Sequence, residues 1–236
     1  MGQGSVIHTQ PKNEHQLVRT RVKICGTTRP EDAAAAVDAG ADAVGVIFFE
    51  PSPRCAHIDA AAAIREQIPA FVSLVLVTVD LDIERHHQWI DALRPDVLQF
   101  QGSESPALCE QFGLPYIKAL RMRDDVDIAS FESRYRSARA LHLETYVEGL
   151  VGGTGQSFDW HRARLCKTLP VILAGGLDSA TVSEAIAAAR PFAVDVSSSL
   201  ESQPGIKDHY AIHEFMNAVK SADSTICQTT SQNTAQ

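Results

Sequence analysis

The regular alternation of two kinds of segment constrains the fold of this chain most. Between residues 21 and 220, short β-branched or apolar runs alternate with alanine-rich or amphipathic runs of helical length. Such alternation is typical of parallel strands joined by helical crossovers. The predicted strands cover 21–25, 43–48, 72–77, 97–99, 116–120, 138–144, 171–174 and 192–196. Helices are predicted near 30–39, 59–67, 82–93, 104–112, 126–135, 159–167, 179–189 and 207–220.

Eight strands and eight helices in about 200 residues match a single-domain α/β protein, the (β/α)8 or TIM barrel. An open, doubly wound sheet is the rival architecture, because the strand count alone does not exclude it. The turn after the first strand has no GxGxxG pattern, and the glycine-rich turns follow late strands. Both observations favour the barrel.

The two ends of the chain differ from the repeated part. Residues 1–20 predict a flexible N-terminal extension, 21–220 the barrel catalytic domain, and the polar, aperiodic 221–236 a disordered C-terminal tail. No apolar run reaches the roughly 18 residues of a membrane span, and the first twenty residues lack the apolar core of a secretory signal. The net charge of −8 speaks against nucleic acid or an anionic membrane as partner. A small-molecule substrate is therefore expected.

Cysteine usage predicts the compartment. The five cysteines are odd in number, widely spaced and without a CxxC pair. Free thiols in a reducing cytoplasm fit this pattern better than disulfides or a zinc site, so we predict a cytoplasmic protein without a metal. The nine histidines show no metal or triad-like spacing, and the pair His86-His87 is expected to face solvent.

Side-chain alternation places a charged pair and a thiol inside the barrel. In the first strand Lys23 and Cys25 share one face, and in the last Asp195 and Ser197 do so. Barrel closure makes these strands neighbours, which predicts that Asp195 lies near Lys23, since an unpaired buried charge is very costly. A thiol has a reference pKa near 8.5 and acts as a base at neutral pH only with nearby positive charge. The expected source of that charge is Lys23, or the amides that hold a phosphate.

Glu144 and Cys25 end their strands at the same mouth of the barrel. One proton acceptor and one proton donor on two sides of a substrate are what an isomerisation requires. Arg54, on the proline-stiffened segment after the second strand, suits a carboxylate that it can bind with two parallel hydrogen bonds. These three side chains are the candidate reactive and binding groups at the mouth.

Two late loops predict a phosphate site. Gly175 and Gly176 follow strand seven, and Ser197 and Ser198 follow strand eight, where barrels usually bind phosphate. The alternative for the glycines is a tight turn without a ligand. A third glycine-rich segment, 151–155, lacks the ending of a nucleotide-binding loop and is interpreted as a lid or as a plain flexible loop.

Taken together, the motifs resemble those of the phosphoribosylanthranilate isomerase family of tryptophan biosynthesis. The resemblance runs from about residue 22 to residue 219. It rests on KICG at 23–26, SPR at 52–54, YVEG at 146–149, GGTG at 152–155, FDW at 158–160, AGGL at 174–177, DVSS at 195–198 and PGIKD at 204–208.

The resemblance implies a cofactor-independent Amadori rearrangement of N-(5-phosphoribosyl)anthranilate to 1-(2-carboxyphenylamino)-1-deoxyribulose 5-phosphate. Cys25 matches the base that removes the proton from C2 of the sugar, and Glu144 stands where the acid is normally an aspartate. Arg54 matches the arginine that holds the anthranilate carboxylate, and Asp195, with Lys23 beside it, lies near the sugar hydroxyls. Gly175, Gly176, Ser197 and Ser198 match the phosphate site.

Three departures from the family pattern leave alternatives open. Glu144 is one methylene longer than aspartate, Ser199 replaces a common glycine, and Gln101 replaces a common histidine. A catalytically silent barrel that binds a sugar phosphate is one alternative. A related aminoaldose-phosphate isomerase is another, although Arg54 speaks against it. The assembly is predicted to be a monomer or a homodimer.

Overall fold

A computed structural model describes residues 19–145 and 158–233. Residues 1–18 of the expected extension at 1–20, and the glycine-rich segment 151–155, lie outside the described residues. The two late loops that are predicted to bind phosphate and the other predicted site residues all fall within them.

Eight parallel strands form a closed barrel in chain order. Pairing between β8 and β1 closes the ring, with Lys23 opposite Asp195. The (β/α)8 prediction is thereby confirmed, and the open sheet is excluded because its first and last strands would not pair. The strands are β1 Arg21–Ile24, β2 Ala43–Phe48, β3 Ser73–Thr78, β4 Val97–Phe100, β5 Tyr116–Met122, β6 Ala140–Thr145, β7 Val171–Leu173 and β8 Ala193–Val196.

Helices follow the strands around the outside. Their starts are set locally: Pro30 occupies the first turn of α1, and Asp82 caps α3 by accepting a hydrogen bond from the Arg85 amide. The α-helices are α1 Pro30–Ala39, α2 Ile58–Glu66, α3 Ile83–Leu93, α4 Pro106–Glu110, α5 Ile128–Arg134, α6 Val182–Ala189 and α7 His209–Asn233. The helix predicted at 159–167 is instead a 3-10 helix, Trp160–Leu165. Across the described residues, no helix combines the length and hydropathy needed to cross a membrane.

Two apolar layers position the polar mouth. The larger one lies between the strands and the helices. A smaller cluster fills the interior of the barrel with Ile117, Ala140, Ile172 and Ala193. Because side chains alternate along each strand, the inward positions further along the same strands are left for the polar residues at the C-terminal mouth.

A short hairpin follows β8 at the mouth. After the 3-10 turn Ser198–Leu200, strands β9 (Glu201–Gln203) and β10 (Ile206–Lys207) pair antiparallel. Gly205, in the connecting turn, adopts φ +81°, a value that favours glycine. The hairpin thus brings Glu201 and Lys207 side by side.

Contacts and helix extend past the predicted bounds of the barrel at both ends. Thr20, assigned to the extension, donates from its amide and its hydroxyl to the Asp223 carboxylate, both at 2.7 Å. The tail expected to be disordered from 221 continues α7 as far as Asn233. Ala222 is buried and Ile226 packs on the core, so apolar contact stabilises a segment whose composition is polar.

Candidate active site

Cys25 follows β1 directly and points into the barrel. Its amide donates to the Val196 carbonyl at 2.9 Å, so the β1–β8 pairing fixes its backbone. Gly45 on β2 makes room for it, since a Cβ there would lie 2.9 Å from Cys25 Sγ and 3.1 Å from Lys23 Nζ. The thiol and the ammonium group therefore occupy one small space, as alternation predicted.

Lys23 and His142 both contact Asp195. Lys23 Nζ lies 2.7 Å and His142 Nε2 lies 2.8 Å from Asp195 Oδ2. All three side chains are almost fully buried. Burial favours the neutral carboxyl, but the Lys23 charge and the His142 hydrogen bond outweigh it and hold the pKa of Asp195 below its ordinary value. The predicted proximity of Lys23 and Asp195 is confirmed.

Burial has the largest effect on the pKa of the Cys25 thiol. It raises the pKa of Cys25 above its ordinary value, while the neighbouring Lys23 ammonium acts to lower it. The expected effect of Lys23 is present in direction but is smaller than the effect of burial. The thiol form is therefore favoured at neutral pH.

Glu144 lies near the end of β6 and faces Arg121 of β5, its register partner. Glu144 Oε1 is 3.4 Å from Arg121 Nε, within ion-pair range but outside hydrogen-bond geometry. Among the described residues neither atom has a hydrogen-bond partner. The carboxyl is buried yet retains an unused oxygen at the mouth.

The Arg54 guanidinium is bound by the Glu201 carboxylate. Glu201 accepts from its Nε at 2.8 Å and from its Nη2 at 2.8 Å, and also binds Lys207 Nζ at 2.9 Å. Burial raises the pKa of Glu201, but these two cations outweigh it and keep the pKa low. One carboxylate thus orients two cations, and the trio keeps a net positive charge.

The two late loops meet beside β6. Gly175 and Gly176 adopt φ +86° and +71°. A Cβ on Gly175 would lie 2.7 Å from the amide nitrogen of Thr145, so glycine is required there for both conformation and space. Ser197 Oγ donates to the Cys25 carbonyl at 3.0 Å, which ties the last loop to β1. Ser199 has no positive φ, so the glycine of the family pattern is not required at that position.

One cavity of about 180 Å³ unites these groups. Its lining includes Cys25, Arg54, Glu144, Gly175, Gly176, Asp195, Ser197 and Ser198. Of the predicted site residues, Lys23 alone is outside the lining and reaches the site through Asp195. Within the described ranges, five of the lining residues carry a buried polar atom without a hydrogen-bond partner, namely Gln99 Oε1, His142 Nδ1, Glu144 Oε1, Thr145 Oγ1 and Asp195 Oδ1.

Those five atoms define what the cavity accepts. Three are carbonyl or carboxylate oxygens, which accept hydrogen bonds when a carboxylate is ionised; Thr145 Oγ1 is a hydroxyl that can accept or donate, and the fifth atom is an imidazole nitrogen. Buried polar atoms are normally paired, so such a cluster indicates a ligand rich in hydrogen-bond donors. Arg54 and the glycine–serine loops add positive charge and backbone amides at the rim, which suit anionic groups.

Sequence reasoning missed several of these residues. His142 precedes Glu144 by two positions on β6, so the alternation that placed Lys23 inside the barrel would have placed His142 there too. His86, expected to face solvent, is buried and bonded to Thr78 Oγ1 and the Asp82 carbonyl. No trio of His, Cys, Asp or Glu side chains in the described part of the chain is arranged to hold a metal ion.

Comparison with known protein families agrees with this geometry. The family model described as N-(5'-phosphoribosyl)anthranilate (PRA) isomerase matches residues 22–218. The chain is 46% identical over 206 residues to the N-(5'-phosphoribosyl)anthranilate isomerase of Pseudomonas fluorescens SBW25, covering 87% of this chain and 98% of the relative. It is 49% identical over 199 residues to that of Pseudomonas savastanoi pv. phaseolicola, covering 84% and 97%.

Solved structures show the same similarity. The phosphoribosyl anthranilate isomerase of Thermotoga maritima superposes with a TM-score of 0.79 at 34% identity, over 86% of this chain and 99% of that one. A phosphoribosyl anthranilate isomerase in complex with reduced 1-(o-carboxyphenylamino)-1-deoxyribulose 5-phosphate gives a TM-score of 0.76, also at 34% identity and with the same coverage. With a matching family model over most of its length and relatives of this identity, the chain belongs to the N-(5'-phosphoribosyl)anthranilate isomerase family.

Proposed function

We propose that this barrel isomerises N-(5'-phosphoribosyl)anthranilate with Cys25 as the base and Glu144 as the acid. The observation that carries the proposal is that both side chains line one cavity, between a positioned guanidinium and the two glycine–serine loops. Arg54 is assigned the anthranilate carboxylate. Gly175, Gly176, Ser197 and Ser198 are assigned the phosphate.

The acid step opens the sugar ring. Glu144 donates its proton to the ring oxygen as the C1–O bond breaks, and the nitrogen lone pair forms a C=N bond to C1. The Glu144 oxygen without a partner is the group offered to the ring oxygen. The sugar hydroxyls, as donors, match the remaining acceptors of the cavity, and Asp195 is assigned to them.

The base step moves the hydrogen. The Cys25 thiolate takes the proton from C2, the electron pair of the C2–H bond forms a C1=C2 bond, and the π pair of the C1=N bond returns to nitrogen, which gives an enol amine. Gain of a proton at C1 and loss of the C2 hydroxyl proton then give the ketone. Since burial raises the pKa of Cys25, the thiolate needs its Lys23 neighbour and is a strong base when formed.

Replacement of the base tests the assignment. Cys25→Ser should lower kcat by at least about 10³-fold, because a hydroxyl is a far weaker acid than a thiol. Turnover is followed by the loss of substrate fluorescence. Cys166→Ser is the matched control: it changes a buried thiol that donates to Glu132 and lies outside the cavity lining. Full activity of Cys25→Ser would overturn the mechanism.

Replacement of the acid tests its length. Glu144→Gln should abolish ring opening, whereas Glu144→Asp should keep or raise the rate if the longer side chain is a tolerated departure. A displacement of about 1 Å at a reacting group can change rates on the order of a hundredfold. A large loss in Glu144→Asp would show that the cavity is built around the longer acid.

The protein is also proposed to be cytoplasmic. Five cysteines without a disulfide suit a reducing cytoplasm. The assembly is proposed to be a monomer or a homodimer, which sedimentation equilibrium of the full chain distinguishes. The proposed reaction requires no cofactor, because each of its steps is a proton transfer or a rearrangement of electron pairs.

A further inference from the structure

His142 is the buried titratable group of the cavity to which the proposed mechanism gives no role. It occupies an inward position of β6, two residues before Glu144, and lines the cavity. The side chain is only 3% exposed. A buried imidazole is costly unless it is hydrogen-bonded, and within the described residues His142 makes one such bond.

That contact is to Asp195, across β7. His142 Nε2 lies 2.8 Å from Asp195 Oδ2, the same oxygen that Lys23 Nζ approaches at 2.7 Å. Because this carboxylate is ionised, Nε2 must carry the hydrogen and donate it. Two donors therefore hold Oδ2, one from the neighbouring strand β1 and one from β6.

The other carboxylate oxygen of Asp195 is available for a ligand. Asp195 Oδ1 is buried and has no hydrogen-bond partner within the described residues. A carboxylate can rotate about its last bond, and a single ammonium donor leaves that rotation possible. Donors from two directions on one oxygen define the plane of the group, and so the direction of the free oxygen.

We propose that His142 is a positioning residue, which acts with Lys23 to hold Asp195 so that Oδ1 is presented to a hydroxyl of the sugar. This inference rests on the proposed function. Among the described residues that line the cavity, His142 supplies the one imidazole. The specific consequence is that His142 matters to catalysis only while Asp195 is a carboxylate.

A double-mutant cycle tests this dependence. His142→Leu removes the donor and keeps an apolar side chain in the barrel, and it should lower kcat/KM by about 10- to 100-fold, the range for a hydrogen bond to a charged group. His142→Gln, which can place an amide N–H where Nε2 stands, should recover most of that loss. In an Asp195→Asn background, His142→Leu should change kcat/KM by less than about threefold, because coupled residues are not additive.

A control separates positioning from folding. His86 is a second buried histidine, bonded through both ring nitrogens to Thr78 and Asp82, and it does not line the cavity. His86→Gln should lower the midpoint of denaturant unfolding while kcat/KM of the folded enzyme stays within about twofold. The midpoints of the His142 variants are measured alongside, so that loss of folded protein is counted separately.

The outcomes distinguish the two proposals. Absence of turnover in the wild-type protein would overturn the proposed function itself. Wild-type turnover together with a His142→Leu value within twofold of it, or with an equal loss in the Asp195→Asn background, would overturn only the positioning role. The positioning role is supported if kcat/KM falls in His142→Leu, recovers in His142→Gln, and changes little when His142→Leu is made in the Asp195→Asn background.

Discussion

Removal of the Lys23 charge is the perturbation whose size the structure best defines. Lys23 and Asp195 form an ion pair at 2.7 Å with side chains only 4% and 6% exposed. Lys23→Met keeps the length and volume of the side chain but leaves the Asp195 carboxylate without its cation. Breaking a buried pair by removing one partner costs about 3–5 kcal/mol. His142 still donates to the same oxygen, so we expect the lower end, about 3 kcal/mol.

The pH dependence of this loss follows from the sign of the pKa shift. The pKa of Asp195 is lowered in the folded wild type, so the pair stabilises the fold above the unfolded-state pKa near 3.9 and loses this effect as pH falls through the folded-state value. In Lys23→Met the carboxyl is buried without its cation and protonates more readily. The difference in stability between the two proteins should therefore be largest near pH 7 and shrink towards pH 4.

Urea unfolding at pH 7, 5.5 and 4 measures this difference, with the slope of the transition compared between variants. Lys23→Met combined with Asp195→Asn is the matched control, because removing both charges should restore most of the lost stability. A loss below about 1 kcal/mol at pH 7, or one that grows as pH falls, would refute the reasoning.

Three further outcomes are expected. Because burial raises the pKa of Cys25, kcat/KM should increase with pH from neutrality upward, and a flat profile between pH 7 and 9 would contradict a thiolate base. Burial acts to raise the pKa of Glu132, but the Cys166 thiol and three backbone amides outweigh it and hold the pKa at about 2. Glu132→Gln should therefore lose about 2–3 kcal/mol of stability at pH 7, and this loss should shrink as pH falls from about 4 towards 2. Equal losses at pH 7 and pH 3 in urea titrations would count against this. Gly175→Ala, at φ +86° and with its Cβ 2.7 Å from the Thr145 amide nitrogen, should raise KM at least tenfold and destabilise by about 1–2 kcal/mol, and an unchanged KM would remove the loop from the binding site.

Local sequence patterns predict the order of the strands and helices along the chain. The alternation of β-branched or apolar runs with alanine-rich runs placed the eight strands within a few residues of their observed bounds. This works because strands and helices differ in the period of their hydrophobic residues. The same period of two placed Lys23 and Cys25 inside. The helix of residues 221–233 could not be predicted from composition, because the segment is polar. The contacts that hold it, Thr20 with Asp223 and Ala222 with the core, join residues that are distant in sequence.

What the sequence determined by itself is the chain order of eight strands, the inward direction of Cys25 and Lys23, and the motifs that assign the family. Only the tertiary structure decided that Glu201 grips Arg54, that Arg121 faces Glu144, and that His142 reaches Asp195 across a strand. The physical reason is the range of each signal. Side-chain direction follows from the backbone of a single strand, whereas partners at the mouth depend on how the strands are staggered around the ring.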